Sequence, residues 1–182
     1  MPLLNSITTP YAEAFLQVAE AHNELEQVVD QARQILALWN ESDDLRQALT
    51  SPVIEIEAKK GALQALFAEQ VTPTFLNLLK LLADRQRIEV LDAVLERLLD
   101  LYRQQNGIAL ATVTSATTLA AEQLAQITSR IKTVAATEQV EVVQKVDPAL
   151  IGGFTVSVGS QVIDASLSGQ VRRLGLALAK VS

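Results

Sequence analysis

The chain has 182 residues, of which 15 are lysine or arginine and 21 are aspartate or glutamate, so its formal net charge is −6. This length predicts one domain or two small ones. The absence of cysteine excludes disulfides, thiolate metal sites and cysteine nucleophiles. The acidic balance argues against nucleic acid as a partner, because phosphate binding needs clustered lysine and arginine.

The chain has no segment typical of secretion or membrane insertion. Its first ten residues, MPLLNSITTP, lack the basic and apolar regions of a secretory signal. Its most apolar run is interrupted by Lys80. The run is therefore much shorter than the roughly 18 uncharged residues of a membrane span. We therefore expect no direct membrane insertion, and any membrane association to come through partners.

The composition changes near Asn106-Gly107. Residues 1–105 contain 20 of the 28 leucines, whereas residues 106–182 contain 11 of the 18 valines and six of the seven glycines. Leucine favours helices, whereas valine and turn-forming glycine favour sheet. The sequence therefore predicts an all-α N-terminal domain over 1–105 and a small α+β C-terminal domain over 106–182.

Apolar residues in the first half recur at helical spacing. This pattern predicts six helices: one after Thr9-Pro10, one over 25–39, a short one capped by Ser42, one over 55–68, one behind Thr72-Pro73, and one over 86–104. The fifth is apolar almost all round and is expected at the centre of a bundle.

The second half alternates between apolar and polar residues. Strands are predicted over 108–114 and 140–146, with a helix capped by Thr118 between them. Asp147-Pro148 predicts a turn, and Gly159-Ser160 predicts the two-residue turn of a hairpin. A last helix is expected from Leu167.

No group of residues matches a known catalytic constellation. His22 is the only histidine, and Asp43/Asp44 are more typical of a helix cap than of an acid-base pair. The glycines match no phosphate-binding pattern. We expect no catalytic residue, no metal and no cofactor. Two alternatives stay open: a helical adaptor unrelated to membranes, and a small hydrolase in which Glu55 and Glu57 line a cleft.

Several short motifs help to distinguish among these functional classes. They are Tyr11-Ala12-Glu13-Ala14, Ser51-Pro52 followed by Lys59, LADRQR (82–87), Val113-Thr114-Ser115-Ala116 and VDPALIGGFTVSVGSQVIDASLSGQVRRL (146–174). Together they resemble the delta subunit of F-type ATP synthases, called the oligomycin-sensitivity-conferring protein in mitochondria, and most closely its cyanobacterial and chloroplast branch. Ala165 departs from the glycine usual in this family.

The resemblance implies an all-α N-terminal six-helix bundle and a small α+β C-terminal domain. It implies a non-catalytic stator subunit, present in one copy, whose bundle binds N-terminal helices of alpha subunits and whose C-terminal domain meets the ends of b-type stalk subunits. It places the protein peripherally on the ATP-synthesising side of the membrane, cytoplasmic or stromal, at the thylakoid.

The resemblance also implies particular residues. The family groove between the first and fifth helices maps onto Tyr11, Ala14, Val18, Leu78, Leu79 and Leu82, although each of these could instead be bundle core. In the C-terminal motif, the residues expected to shape turns are Asp147, Pro148, Gly152, Gly153, Gly159, Asp164 and Ser166.

Overall fold

The structure is a computed structural model that describes residues 2–135, 137, 139–159 and 161–179. The chain divides into two compact units, Met1–Tyr102 and Arg103–Ser182. In the described part of the chain, no helix combines the length and the apolar character needed to cross a membrane.

The first unit is built from helices. They are α1 (Pro2–Ala21), α2 (Leu25–Glu41), α3 (Asp43–Thr50), α4 (Ile56–Phe67), α5 (Pro73–Asp84), a 3-10 turn (Ile88–Val90) and α6 (Leu91–Asn106), which continues into the second unit. The helix predicted over 86–104 is therefore a 3-10 turn followed by a helix that begins at Leu91.

Local capping explains two of these boundaries. The Ser42 hydroxyl accepts a hydrogen bond from the Leu45 backbone N–H at 3.3 Å, which caps α3. The Thr72 hydroxyl accepts one from the Phe75 backbone N–H at 3.3 Å, and Pro73 occupies the first turn of α5. Both arrangements satisfy backbone donors that a helix start leaves unpaired.

The first helix differs from its prediction, because it begins upstream of Pro10 rather than after it. Proline has no N–H, so the helix forgoes one backbone hydrogen bond at this residue. Thr8 and Ala12, on either side, are buried at 1% and 0% exposure. The burial of this turn offsets the missing hydrogen bond.

Most of the buried apolar side chains described in the first unit form one cluster. Its fully buried members include Leu16, Leu63, Leu79, Leu82, Leu95 and Leu98. Phe15 of α1 meets Phe75 of α5 edge to face, with ring centroids 5.3 Å apart. This aromatic contact joins α1 to α5 beneath the surface.

The second unit contains a four-stranded mixed sheet. Its elements are β1 (Ala109–Ser115), α7 (Ala121–Ala135), β2 (Val140–Val146), β3 (Phe154–Val158), β4 (Gln161–Asp164) and α8 (Leu167–Ala179). The strand order is β2-β1-β3-β4, in which β1 and β2 are parallel and the other pairs antiparallel. The chain thus combines a helix-rich N-terminal region with a small C-terminal mixed sheet.

One face of this sheet packs against α7. Ala111, Val113 and Val156 form its buried core together with Ile127 and Ile131 of α7. The predicted cap at Thr118 is wrong, because α7 begins at Ala121. The Gln123 side chain accepts a hydrogen bond from the Ala120 backbone N–H at 3.0 Å, and this reach-back contact satisfies a donor at the helix start.

Candidate partner-binding site

The described surface of the first unit carries an apolar groove of about 470 Å³ between α1 and α5. The α1 wall is formed by Pro10, Tyr11, Ala14, Phe15 and Val18, and His22 follows it at the end of the helix. The α5 wall is formed by Thr74, Asn77, Leu78 and Leu81.

Each wall is one face of its helix. Residues 11, 14, 15, 18 and 22 follow the three- and four-residue spacing of a single stripe, as do residues 74, 77, 78 and 81. Val18 and Leu81 are 44% and 41% exposed, so each wall presents an aliphatic side chain to solvent. An elongated apolar groove of this form suits a helix from another chain.

The residues carried over from the family occupy two different places. Tyr11, Ala14, Val18 and Leu78 line the groove. Leu79 and Leu82 do not, because both are 0% exposed and belong to the core. The structure therefore places these two leucines in the bundle core and not, as predicted, in the groove.

The sequence did not identify six of the residues that line the groove: Pro10, Phe15, His22, Thr74, Asn77 and Leu81. Asn77 was the available signal. A polar residue in a helix that is otherwise apolar almost all round marks the outward face, and Leu81 lies four residues further along that face.

Side-chain hydrogen bonds join the ends of the two walls. The Thr74 hydroxyl donates to a carboxylate oxygen of Glu24, just beyond α1, at 2.8 Å. At the other end, Arg87 donates to the Tyr11 hydroxyl at 3.0 Å, with its guanidinium carbon 5.8 Å from the tyrosine ring centroid. The start of α5 therefore lies near the end of α1, and the two helices run antiparallel.

The start of α5 is also attached to α2. The Gln31 side-chain oxygen accepts hydrogen bonds from the Thr72 backbone N–H at 3.1 Å and from the Thr72 hydroxyl at 3.2 Å. The α5 wall is therefore positioned by polar contacts to two other helices as well as by core packing.

The carboxylate arrangement required for a hydrolase does not form at Glu55 and Glu57. Both residues are exposed, and Glu57 pairs with Lys60 at 3.1 Å. Hydrogen bonds to Asp84 and then to Glu57 raise the pKa of the Lys60 ammonium group. Among the described residues, no cluster of histidine and acidic side chains is suited to a metal ion.

In the second unit, Asp164 and Ser166 lie where the chain passes from β4 into α8. The backbone N–H and the hydroxyl of Ser166 both donate to one Asp164 carboxylate oxygen, at 2.9 and 2.6 Å. The Ser166 hydroxyl in turn accepts from the Gly169 backbone N–H at 3.0 Å, which caps the helix.

Gly152 and Gly153 lie against this turn. The Gly152 carbonyl accepts a hydrogen bond from the Leu167 backbone N–H at 3.0 Å. Gly153 has a φ of +78°, and a Cβ there would lie 2.5 Å from the Ala165 carbonyl oxygen. Two turns that are distant in sequence therefore pack backbone to backbone, and only glycine fits at residue 153.

The other motif residues lie in separate turns. The Asp147 carboxylate accepts from the Ala149 backbone N–H at 2.9 Å, across Pro148. Gly159 follows β3 with a φ of +57° and open space around it, and Ser160 lies outside the described residues. These residues therefore determine the backbone conformation of their own turns.

We expect acid to weaken the second unit partly through Asp164. The two hydrogen bonds from Ser166, with smaller contributions from Arg173 and Arg172, lower the pKa of this carboxyl group. Its stabilising effect is therefore present above the ordinary pKa of aspartate and is lost as the pH falls through the lowered, folded-state pKa. The measurement is the unfolding free energy between pH 6 and pH 2, for the wild type and Asp164→Asn.

The unfolding free energy should fall more steeply with decreasing pH in the wild type than in Asp164→Asn. The difference in slope should correspond to at most about one additional proton bound by the unfolded state. The asparagine oxygen can still accept from Ser166, so the variant provides a folded control. Parallel curves would contradict this role of Asp164.

The sequence was compared with protein-family models and with curated proteins. The family model described as ATP synthase delta (OSCP) subunit matches residues 7–178. The chain is 69% identical to ATP synthase subunit delta of Prochlorococcus marinus (strain MIT 9303) and 61% identical to that of Synechococcus sp. (strain CC9605). Each match covers 100% of both chains.

Among solved structures, a chain from the cryo-EM structure of the Toxoplasma gondii mitochondrial ATP synthase hexamer shares the fold. Its TM-score is 0.73 at 22% identity, over 93% of this chain and 96% of that chain. The full-length identity to the curated relatives and the family-model match establish the relationship. The chain therefore belongs to the ATP synthase delta (OSCP) subunit family, and its function is that of a peripheral-stalk subunit of ATP synthase.

Proposed function

We propose that this chain is a non-catalytic clamp that joins the catalytic head to the b-type stalk. Its bundle, residues 1–105, binds N-terminal helices of alpha subunits in the α1–α5 groove, and residues 106–182 bind the ends of the b-type subunits. The observation that carries the proposal is the open apolar groove, with Val18 and Leu81 exposed on opposite walls.

The chemistry of the groove suits a lasting attachment. Exposed ion pairs contribute only about 0–1 kcal/mol each, whereas apolar anchors that enter a preformed pocket supply most of the energy of an interface. Six of its ten lining residues are apolar, and the four that carry a polar group are Tyr11, His22, Thr74 and Asn77. An amphipathic helix would bury its apolar stripe between the two walls.

The proposal extends to stoichiometry and location. One copy of the chain acts in each complex, peripherally on the ATP-synthesising side of the membrane, cytoplasmic or stromal. The cyanobacterial origin of the relatives described above supports the thylakoid membrane as the site. Catalysis in this scheme belongs to other subunits.

Calorimetric titration tests the proposal. The full chain is titrated with a synthetic peptide covering the N-terminal helix of an alpha subunit from the same source. We expect saturable one-to-one binding with a negative heat-capacity change, because apolar surface is buried. Absence of binding by the folded chain would overturn the assignment of the groove.

A larger side chain at residue 14 should close the groove. Ala14 is exposed on the α1 wall, so Ala14→Leu occupies the space of an incoming helix while leaving the core intact. We expect affinity for the alpha-subunit peptide to fall by about tenfold, the loss of a moderate interface contact. Calorimetry measures the affinity and thermal denaturation measures the stability.

Ala37→Leu is the matched control, because Ala37 is an exposed alanine within α2 and outside the groove. It should leave both affinity and melting temperature close to those of the wild type. Unchanged peptide affinity in Ala14→Leu, together with a large loss of stability, would show that residue 14 is part of the core.

A further inference from the structure

The helix α6 crosses the boundary between the two units. Leu98 and Leu99 belong to the buried core of the first unit, whereas the second unit begins at Arg103, one turn further along the same helix. The helix continues to Asn106. The last turn of α6 is therefore part of the second unit, and the chain passes from one unit to the other as a helix.

An ion pair attaches this last turn to the strand β2. The Arg103 guanidinium donates two hydrogen bonds to the Glu141 carboxylate, from Nε to Oε2 at 2.9 Å and from Nη2 to Oε1 at 3.2 Å. The two side chains are only 12% and 22% exposed, so water and salt screen the pair weakly. Two parallel bonds between planar groups also fix their mutual orientation.

The end of α6 is closed by its own backbone and attached to the segment before β2. Gly107 has a φ of +64°, and the Ile108 backbone N–H donates to the Arg103 carbonyl at 2.9 Å. This is the arrangement of a glycine that ends a helix. The Thr137 hydroxyl donates to the Gly107 carbonyl at 2.7 Å, which adds a second attachment beside the ion pair.

The segment 104–107 has the composition of a flexible boundary but is held at both ends. Its residues, Gln-Gln-Asn-Gly, are polar and exposed, as is usual where two units join. Before it, Arg103 is bound by Glu141. Behind it, the Ala109 backbone N–H donates to the Gln139 carbonyl at 3.0 Å, so the turn cannot move freely from the sheet.

We propose that the Arg103–Glu141 pair is a latch, a positioning contact that holds residues 103–109 as a rigid part of the second unit. With the latch closed, any joint between the units lies before Arg103 and not in the polar segment 104–107. The mechanical consequence rests on the proposed function: a load that passes between head and stalk would cross the boundary along a helix, which is stiffer than a loop of this composition.

Hydrogen exchange of the full chain tests the latch, under conditions in which exchange reports the opening equilibrium. The amides of Ile108 and Ala109 are the reporters, because both are hydrogen-bonded beside the pair. Both should be protected in the wild type. In Arg103→Gln they should exchange at least about tenfold faster, since hydrogen bonds to charged groups are lost. Amides of residues 111–114 in β1 should change by less than about threefold.

Two further variants separate the pair from general effects of charge. Lys145→Gln is the matched control, because Lys145 is an exposed cation on the same strand and the same face as Glu141. It should alter exchange of the two reporter amides by less than about twofold. The reversed pair, Arg103→Glu with Glu141→Arg, should restore part of the protection, because neither charge is then left half-buried without a partner.

Glu141→Gln provides a second route to the same measurement, since it keeps the shape of the side chain and removes only its charge. Faster exchange confined to the reporter amides, in this variant and in Arg103→Gln, supports the latch. Unprotected reporter amides in the wild type, or unchanged exchange in both variants, would overturn it. Equal acceleration throughout β1 would also overturn it, because the pair would then stabilise the whole sheet. None of these results depends on binding of the alpha-subunit peptide, so the latch and the proposed function are tested separately.

Discussion

Gly153→Ala should abolish stable folding of the second unit. The φ of +78° places residue 153 in the left-handed region, where a side chain costs roughly 1–2 kcal/mol. The added Cβ would also lie 2.5 Å from the Ala165 carbonyl oxygen and 2.9 Å from the Ser166 Cα. Because these are backbone atoms, they cannot turn aside, and we expect a total loss on the order of 4 kcal/mol.

Two other glycines separate the causes of this loss. Gly159 also has a positive φ, of +57°, but a Cβ added there would meet no atom within 4 Å, so Gly159→Ala should cost only about 1–2 kcal/mol. Gly61 lies within α4 with open space around it, so Gly61→Ala should stabilise the first unit by up to about 1 kcal/mol. Equal losses at residues 153 and 159 would contradict the backbone collision.

The single tryptophan makes the measurement specific to each unit. Trp39 is buried in the first unit at 3% exposure, so its fluorescence reports unfolding of the helical bundle. Circular dichroism of the same samples includes the sheet. In Gly153→Ala the fluorescence transition should stay close to that of the wild type, while the circular dichroism signal of the second unit is lost at low denaturant.

Leu82→Ala should strongly destabilise the first unit. Leu82 is 0% exposed within the core cluster. Removing its branched side chain leaves a cavity, which costs about 2.7–5 kcal/mol for buried leucines. Denaturant titration followed by Trp39 fluorescence measures the loss, and the variants that remain folded can be titrated with the alpha-subunit peptide.

Leu81→Ala is the adjacent control and should behave in the opposite way. Leu81 is 41% exposed and lines the groove, so its truncation should cost less than about 1 kcal/mol of stability and at least about fivefold in peptide affinity. If Leu82→Ala reduced affinity without reducing stability, Leu82 would belong to the binding surface rather than to the core.

The elements that could be predicted from the sequence are those with local signals. Ser42 with its acidic neighbours and Thr72-Pro73 mark helix starts, because each cap depends only on residues within one turn. The order of strands and helices after Gly107 followed from alternation and turn residues in the same way. The family resemblance added the location of the groove on the first and fifth helices.

The remaining features depend on contacts that are distant in sequence. The continuation of α1 through Pro10 depends on the burial of Thr8 and Ala12 on either side of it. Leu81 faces the groove and Leu82 faces the core because only one side of the almost entirely apolar α5 packs against the other helices. The close approach of Gly153 to Ala165 joins two turns. None of these is determined within a single segment.

The hydrogen bonds at both ends of α5 have a consequence for the rate of assembly. Thr72 and Thr74 secure one end to Gln31 and Glu24, and Arg87 secures the other to Tyr11. These contacts fix the position of α5 relative to α1 before any partner arrives, so we expect association without a slow opening step. The association rate constant should be about 10⁵–10⁷ M⁻¹s⁻¹, and variants of the groove should differ in affinity mainly through the dissociation rate.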